Sequence, residues 1–151
     1  MTALSVNINK VALIRNSRKG ENPNLIEYAS ACINAGADGI TVHPRPDQRH
    51  VKPSDLPGLK ELINKHTNIE FNIEGNPFEE AKDDYLGLLE LVKRSRPHQC
   101  TLVPDSTDQL TSDHGFDLNK NQEKVYKVVR ELRAHGAVSY THLTLPTIRT
   151  V

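Results

Sequence analysis

Residues 39–50, GITVHPRPDQRH, bring His43, Arg45, Arg49 and His50 within a single short stretch. An imidazole titrates near neutrality, so it can give or take a proton during a reaction. An arginine fork binds phosphate or carboxylate oxygens in pairs. Together these side chains suit proton transfer on an anionic, phosphorylated substrate, whereas the plain alternative for His43 is a structural histidine at a strand end. His43, His50 and Glu70 are chemically able to hold zinc, but they have no compact ligand spacing, and no metal is expected.

The surrounding pattern says how these groups are positioned. Ile40 and Val42 alternate with Thr41 and His43 in the period of a strand, and Pro44 and Pro46 prevent it from continuing. His43 therefore stands at the carboxyl end of a strand, where the loops of parallel sheets gather around ligands. The same alternation marks residues 3–9, with Leu4, Val6 and Ile8 opposed to Ser5, Asn7 and Asn9. It recurs over 68–74, with Ile69, Phe71 and Ile73 opposed to Glu70, Asn72 and Glu74, and QCTLV at 99–103 makes a fourth strand. Arg15, Arg18 and Lys19 follow the first strand into a loop marked by Gly20.

Helical spacing fills the intervals. Leu25, Ile26, Ala29, Cys32 and Ile33 form one apolar stripe, started by Asn22 and Pro23 and closed by Gly36. Leu56, Leu59, Leu62 and Ile63 form a second, with Ser54 as its expected cap. Phe78, Ala81, Tyr85, Leu88, Leu89 and Val92 form a third after Asn76 and Pro77, and Val125, Val128, Val129 and Leu132 a fourth before Gly136. Residues 104–119 make a long polar loop of the kind that serves as a lid, and Ala137, Val138 and Ser139 begin a fifth strand.

Strict alternation of strand and helix demands a parallel α/β sheet. It fits either a complete flavodoxin-like open sheet or about four βα units, the amino-terminal half, of a (β/α)8 TIM barrel. Strands covered by helices on both faces read as continuous apolar runs. Here the strands carry polar faces, which favours the half barrel, and Asn7, His43 and Glu70 are expected to share one face at the carboxyl ends of adjacent strands.

The chain of 151 residues has zero formal net charge, 36% hydrophobic and 25% charged residues, which fits one globular domain and argues against nucleic acid or an anionic membrane as partner. Cys32 and Cys100 have neither metal nor redox spacing and read as core residues of a cytoplasmic protein. No leader or membrane span is apparent.

The segments SVNINKVALIRNSR, AGADGITVHPRPDQRH, IEFNIEG and TLVPD with LTSDHGFD, in this order on successive strands, resemble the pyridoxine 5′-phosphate synthase family over about residues 3–138. The resemblance implies a homo-oligomeric barrel that condenses 1-deoxy-D-xylulose 5-phosphate with 3-amino-2-oxopropyl phosphate, without metal or organic cofactor. It implies acid–base roles for His43 and Glu70, and substrate contacts for Asn7, Arg18, Arg45, His50 and Thr111. Asn9 and Lys10 stand where many members carry Asp-His; Lys10 is either a phosphate contact or a solvated strand-end lysine. From about Val138 the chain reads VSYTHLTLPTIRTV, which leaves the strand–helix grammar and resembles translated adapter read-through. Residues 1–138 are accordingly expected to be a partial TIM-barrel domain and 139–151 a non-native tail, with residues 1–151 alone inactive.

Overall fold

Strands that alternate apolar and polar residues need one oily neighbour and one polar one. The computed structural model, which describes residues 2–18, 20–106, 108 and 114–141, supplies both. Among the described residues five strands, β1 (Ser5–Asn7), β2 (Gly39–Val42), β3 (Glu70–Gly75), β4 (Gln99–Leu102) and β5 (Val138–Thr141), pair in parallel in sequential order. The helices are α1 (Asn9–Ser17), α2 (Leu25–Asn34), α3 (Leu56–Asn64), α4 (Leu88–Ser95) and α5 (Leu118–Ala134).

Strand order decides between the two architectures. A flavodoxin-like sheet runs 2-1-3-4-5, reverses direction after its first unit and so places helices on both faces. Here every crossover steps the same way, and right-handed crossovers then put all helices on one side. The fold is α/β, with the consecutive parallel units of a (β/α)8 barrel. Ile40, Val42, Phe71, Ile73, Cys100 and Leu102 face the helices and join Ala29, Leu59, Ile63, Leu91 and Leu132 in one buried cluster.

The opposite face is polar and internally bonded. Ser5 Oγ and Thr41 Oγ1 lie 2.7 Å apart, Asn72 Nδ2 donates to Thr41 Oγ1 at 3.3 Å, and Thr101 Oγ1 donates to Asn72 Oδ1 at 3.1 Å. This row crosses β1 to β4 and satisfies side chains that an apolar interior would leave stranded. Two residues toward the amino end on the same face, Gln99 Nε2 donates to Glu70 Oε2.

Several elements depart from the sequence reading. The first strand ends at Asn7, and α1 starts at Asn9 rather than a loop following. Asn7 Oδ1 accepts from Asn9 N at 2.9 Å, turning the chain, and Ala12 and Arg15 are buried along one helix face. Helix α2 is capped by Asn24, whose Oδ1 accepts from Ile26 N at 2.9 Å and Glu27 N at 3.2 Å, so Pro23 lies before it rather than at its first position. Ser54 caps nothing: it sits in a 3₁₀ turn over Pro53–Asp55, where Asp55 Oδ2 accepts from Lys52 N at 2.8 Å. The third stripe becomes a helix only from Leu88. Lys82 and Tyr85 exchange backbone hydrogen bonds of 2.8 and 2.9 Å, and Gly87 takes φ +85°, so Tyr85 is buried from a turn instead of a helix.

The fifth strand straddles the expected boundary at 138, since Val138–Thr141 pairs with Gln99–Leu102. The remainder of the expected tail, 142–151, and residues 107 and 109–113 of the expected lid lie outside the described residues. No helix among the described residues is long and apolar enough to cross a membrane.

Phe71 is fully buried between the sheet and the helices. Phe71→Ala is expected to cost about 3–5 kcal/mol, read as a lowered urea midpoint at unchanged slope. A midpoint within experimental error of the wild type would refute this placement of the core.

Candidate active site

The turn that ends β1 also builds the site. Asn7 spends its carbonyl on Asn9 N, and its amide Nδ2 donates to Glu74 Oε2 at 3.3 Å. Asn9, buried at the start of α1, accepts from His43 N with its Oδ1 at 2.8 Å. A continuous chain of hydrogen bonds thus runs from the Glu74 carboxyl through both asparagines to the backbone of His43. It ties together the carboxyl ends of β1, β2 and β3.

The loop after β2 is held from two sides. Arg45 is buried, with Nη1 3.3 Å from Asp105 Oδ2 and Nη2 donating to the Ser106 carbonyl, which fastens this loop to the one after β4. Asn76 Nδ2 donates to the Asp105 carbonyl at 2.8 Å and brings in the loop after β3. From the α1 side, Asn16 Nδ2 lies 3.2, 3.1 and 2.7 Å from the carbonyls of Gln48, Arg49 and His50. Arg15 makes a bidentate pair with Asp55, at 2.7 and 2.9 Å, that anchors α1 to the turn before α3. The His43 and His50 rings meet edge to face, centroids 6.5 Å apart.

Charge and burial set the protonation states. His43 is pushed down to about 4 by burial first and then by the Arg45 guanidinium, with smaller contributions from His50 and Arg49 against the opposing Asp105. His50 is also pushed down to about 4, by burial and then by Arg45 and Arg49, with Lys10 adding to the effect against Asp47. Both imidazoles are therefore neutral at pH 7 and can accept a proton. Glu74 moves the other way, up to about 7, because burial and the neighbouring Asp105 both disfavour its charge.

Of the residues singled out from sequence, Asn7, Asn9, His43, Arg45 and His50 come together on this rim, and Lys10 is exposed beside it. Arg18 ends α1 exposed to solvent, and Thr111 lies outside the described residues. Glu70 departs from the expected position. It is on the same polar face but opens β3, level with Gly39, roughly 13 Å below His43 at ~3.3 Å per residue. Its register partner Gly39 and its side-chain partner Gln99 both begin their strands, so Glu70 stands at the amino end. The carboxyl at the carboxyl end of β3 is Glu74, which sequence reasoning placed on the polar face but did not single out. The usable signal was position, because side chains at the ends of barrel strands meet the substrate. Asn16 and Asp105 were also missed, having no motif of their own.

A cleft of about 660 Å³ lies elsewhere, in the outer layer between α3 and α4, lined by Leu56, Lys60, Leu86, Leu91 and Arg94. It contains neither histidine nor any member of the hydrogen-bond chain.

Comparison with known proteins gives a consistent result. The family described as "Pyridoxal phosphate biosynthesis protein PdxJ" matches residues 4–143. A pyridoxine 5′-phosphate synthase of Xanthomonas axonopodis pv. citri (strain 306) is 52% identical over 136 residues, 90% of this chain and 53% of the relative. The protein of the same name in Xylella fastidiosa (strain 9a5c) is 53% identical over 135 residues, 89% of this chain and 52% of the relative. The chain thus spans about half the length of the curated relatives it matches.

The shifted groups make stability depend on pH with opposite signs. His43 and His50 have folded values below the ordinary 6.5, so their contribution is complete above about pH 6.5 and is lost as pH falls toward about 4. Glu74 is raised, so its contribution is complete below about 4.5 and is lost as pH rises through about 7. Unfolding free energy should therefore fall on acidification from pH 6.5 to 4. His43→Asn and His50→Gln should each flatten that slope in urea titrations across this range; a wild-type slope in both would show that the histidines are not its source.

Proposed function

Because the chain belongs to the PdxJ family, we propose that it is the amino-terminal part of a pyridoxine 5′-phosphate synthase. The reaction joins 1-deoxy-D-xylulose 5-phosphate and 3-amino-2-oxopropyl phosphate and closes a pyridine ring, releasing phosphate and water. What supports this reading, beside the family, is the convergence of a neutral buried imidazole, a raised carboxyl and buried guanidinium groups at the carboxyl ends of parallel strands. In this reading the full-length protein is a cytoplasmic homo-oligomer.

Each step of such a condensation moves protons between carbon, nitrogen and oxygen. His43, neutral at pH 7 and fixed by Asn9, is suited to take a proton from substrate. A bound phosphate offsets the cations that hold the imidazole pKa down, so the protonated form is stabilised once substrate is in place. His50 Nδ1 is buried without a hydrogen-bond partner among the described residues, a position suited to a substrate oxygen. Arg45, Arg18 and Lys10 supply positive charge for phosphate, and Asn7, Asn9 and Thr111 polar contacts; the family resemblance assigns the second acid–base role to Glu70, at the amino end of β3.

The test is synthesis of pyridoxine 5′-phosphate from both substrates by the purified full-length protein. His43→Asn is expected to lower kcat by about 10² or more with little change in KM. No product from the wild type would overturn the function, and unchanged turnover in the variant would remove His43 from the mechanism. Residues 1–151 expressed alone are expected to be inactive. Among the described residues β1 and β5 each have an unpaired edge, and Val138 and Tyr140 stand exposed on β5, so the site is open to water. Measurable synthesis by that fragment would contradict this.

A further inference from the structure

The carboxyl group that the family resemblance does not assign is Glu74. It closes the polar face of β3, level with Thr101 of β4, and is only partly exposed. Its Oε2 accepts from Asn7 Nδ2, and Asn7 leads through Asn9 to His43. The loop after β4 places Asp105 near enough for its charge to be felt at Glu74. Glu74 has no cationic partner among the described residues: Arg45 is committed to Asp105 and Ser106, and Arg49 pairs with Asp47.

We propose that Glu74 is a further acid–base group of this site, a carboxyl that exchanges protons with the hydroxyl-bearing carbons of a phosphorylated sugar-like substrate while Asn7 holds it in place. This rests on the synthase reading above. Ring closure from a polyhydroxy ketone phosphate requires loss of water. In such a step the neutral Glu74 carboxyl gives its proton to a departing hydroxyl, which leaves as water. The carboxylate then takes the proton released from the adjacent carbon as the double bond forms. The carboxyl is regenerated, one water is lost, and no oxidant or reductant is consumed.

A carboxyl that donates must retain its proton near working pH. Burial and the adjacent Asp105 carboxylate keep Glu74 protonated up to about 7, whereas Glu70, hydrogen-bonded to Gln99, is exposed. The bond to Asn7 raises a competing explanation, that Glu74 only positions His43 through the two asparagines. The two roles separate chemically. Glu74→Gln keeps an oxygen to accept from Asn7 and leaves the chain to His43 intact, but it cannot exchange a proton.

The experiment is steady-state synthesis by the full-length wild type, Glu74→Gln and Glu74→Asp across pH, with an infrared titration of the carboxyl band taken as the wild-type minus Glu74→Gln difference. Glu74→Gln is expected to lose about 10²-fold in kcat, to keep KM, and to lose the alkaline limb that the wild type shows near pH 7. Glu74→Asp should retain part of the rate and the limb. A Glu74→Gln enzyme with wild-type rate and pH profile overturns the proposal. So does one whose loss Glu74→Asp shares in full with the alkaline limb unmoved in both, which assigns positioning alone. If the wild type makes no product, the synthase reading falls and the infrared titration decides the carboxyl: protonation persisting to near neutrality sustains an acid–base group here, and full ionisation by pH 5.5 overturns it.

Discussion

Everything in this structure depends on the sheet having an apolar face and a polar face, with all the helices on the first. Side chains alternate across a strand with period two, so the choice of face at one residue fixes the faces of its neighbours. Ile40 and Val42 go to the helices, which sends Thr41 and His43 the other way; Phe71 and Ile73 do the same for Asn72 and Glu74. The parallel registers then set these polar residues side by side. Their hydrogen-bonded row, Ser5 to Thr41 to Asn72 to Thr101, continues at the carboxyl ends into groups that can do chemistry. The scaffold and the site are one alternating pattern read at different heights along the strands.

At the upper end the pattern is reinforced by asparagine. An amide offers both donor and acceptor, so Asn7 can join the turn into α1 and Glu74 at once, while Asn9 fixes the main chain at His43 and Asn16 spans three carbonyls of the following loop. An aspartate at Asn16 would have no N–H to offer, and an apolar residue would leave buried carbonyls unpaired. Asn9 is therefore engaged with the protein's own backbone, and the neighbouring Lys10, exposed and felt at His50, is the member of that pair with a charge to offer a phosphate.

The fold class and much of the rim were legible in the sequence because they rest on periodicity. Alternation located β1, β2 and β3, helical spacing located α2, α3 and α5, and the prolines after His43 marked the end of β2, which closes at Val42. What was not legible depended on tertiary partners. VALI in α1 carries no helix signal strong enough to separate it from a continuing strand; the side chain of Asn7 makes that decision by accepting from Asn9 N. The stripe from Phe78 to Val92 satisfies helical spacing, yet Tyr85 reaches the core from a turn, since burial requires only that a side chain arrive. Glu70 and Glu74 are equivalent by alternation. Only height along β3, set by the registers with Gly39 and Thr101, separates them.

Electrostatics ties these geometric facts to ligand binding. The rim holds two imidazoles neutral by burying them beside guanidinium groups, and it holds a carboxyl neutral by burying it beside Asp105. Each is a group whose charged form its surroundings disfavour. A phosphate dianion entering among Arg45, Arg49 and Lys10 would remove part of the penalty on protonated His43 and His50, and linkage makes that coupling reciprocal. Protonation of the histidines strengthens anion binding by the same factor that anion binding favours their protonation. The same anion would further disfavour ionisation of Glu74 and keep its proton in place. Under the proposed function, substrate charge and proton inventory would be set together: an imidazole able to take a proton would become a better holder of one as phosphate arrives, while the carboxyl would stay ready to give one.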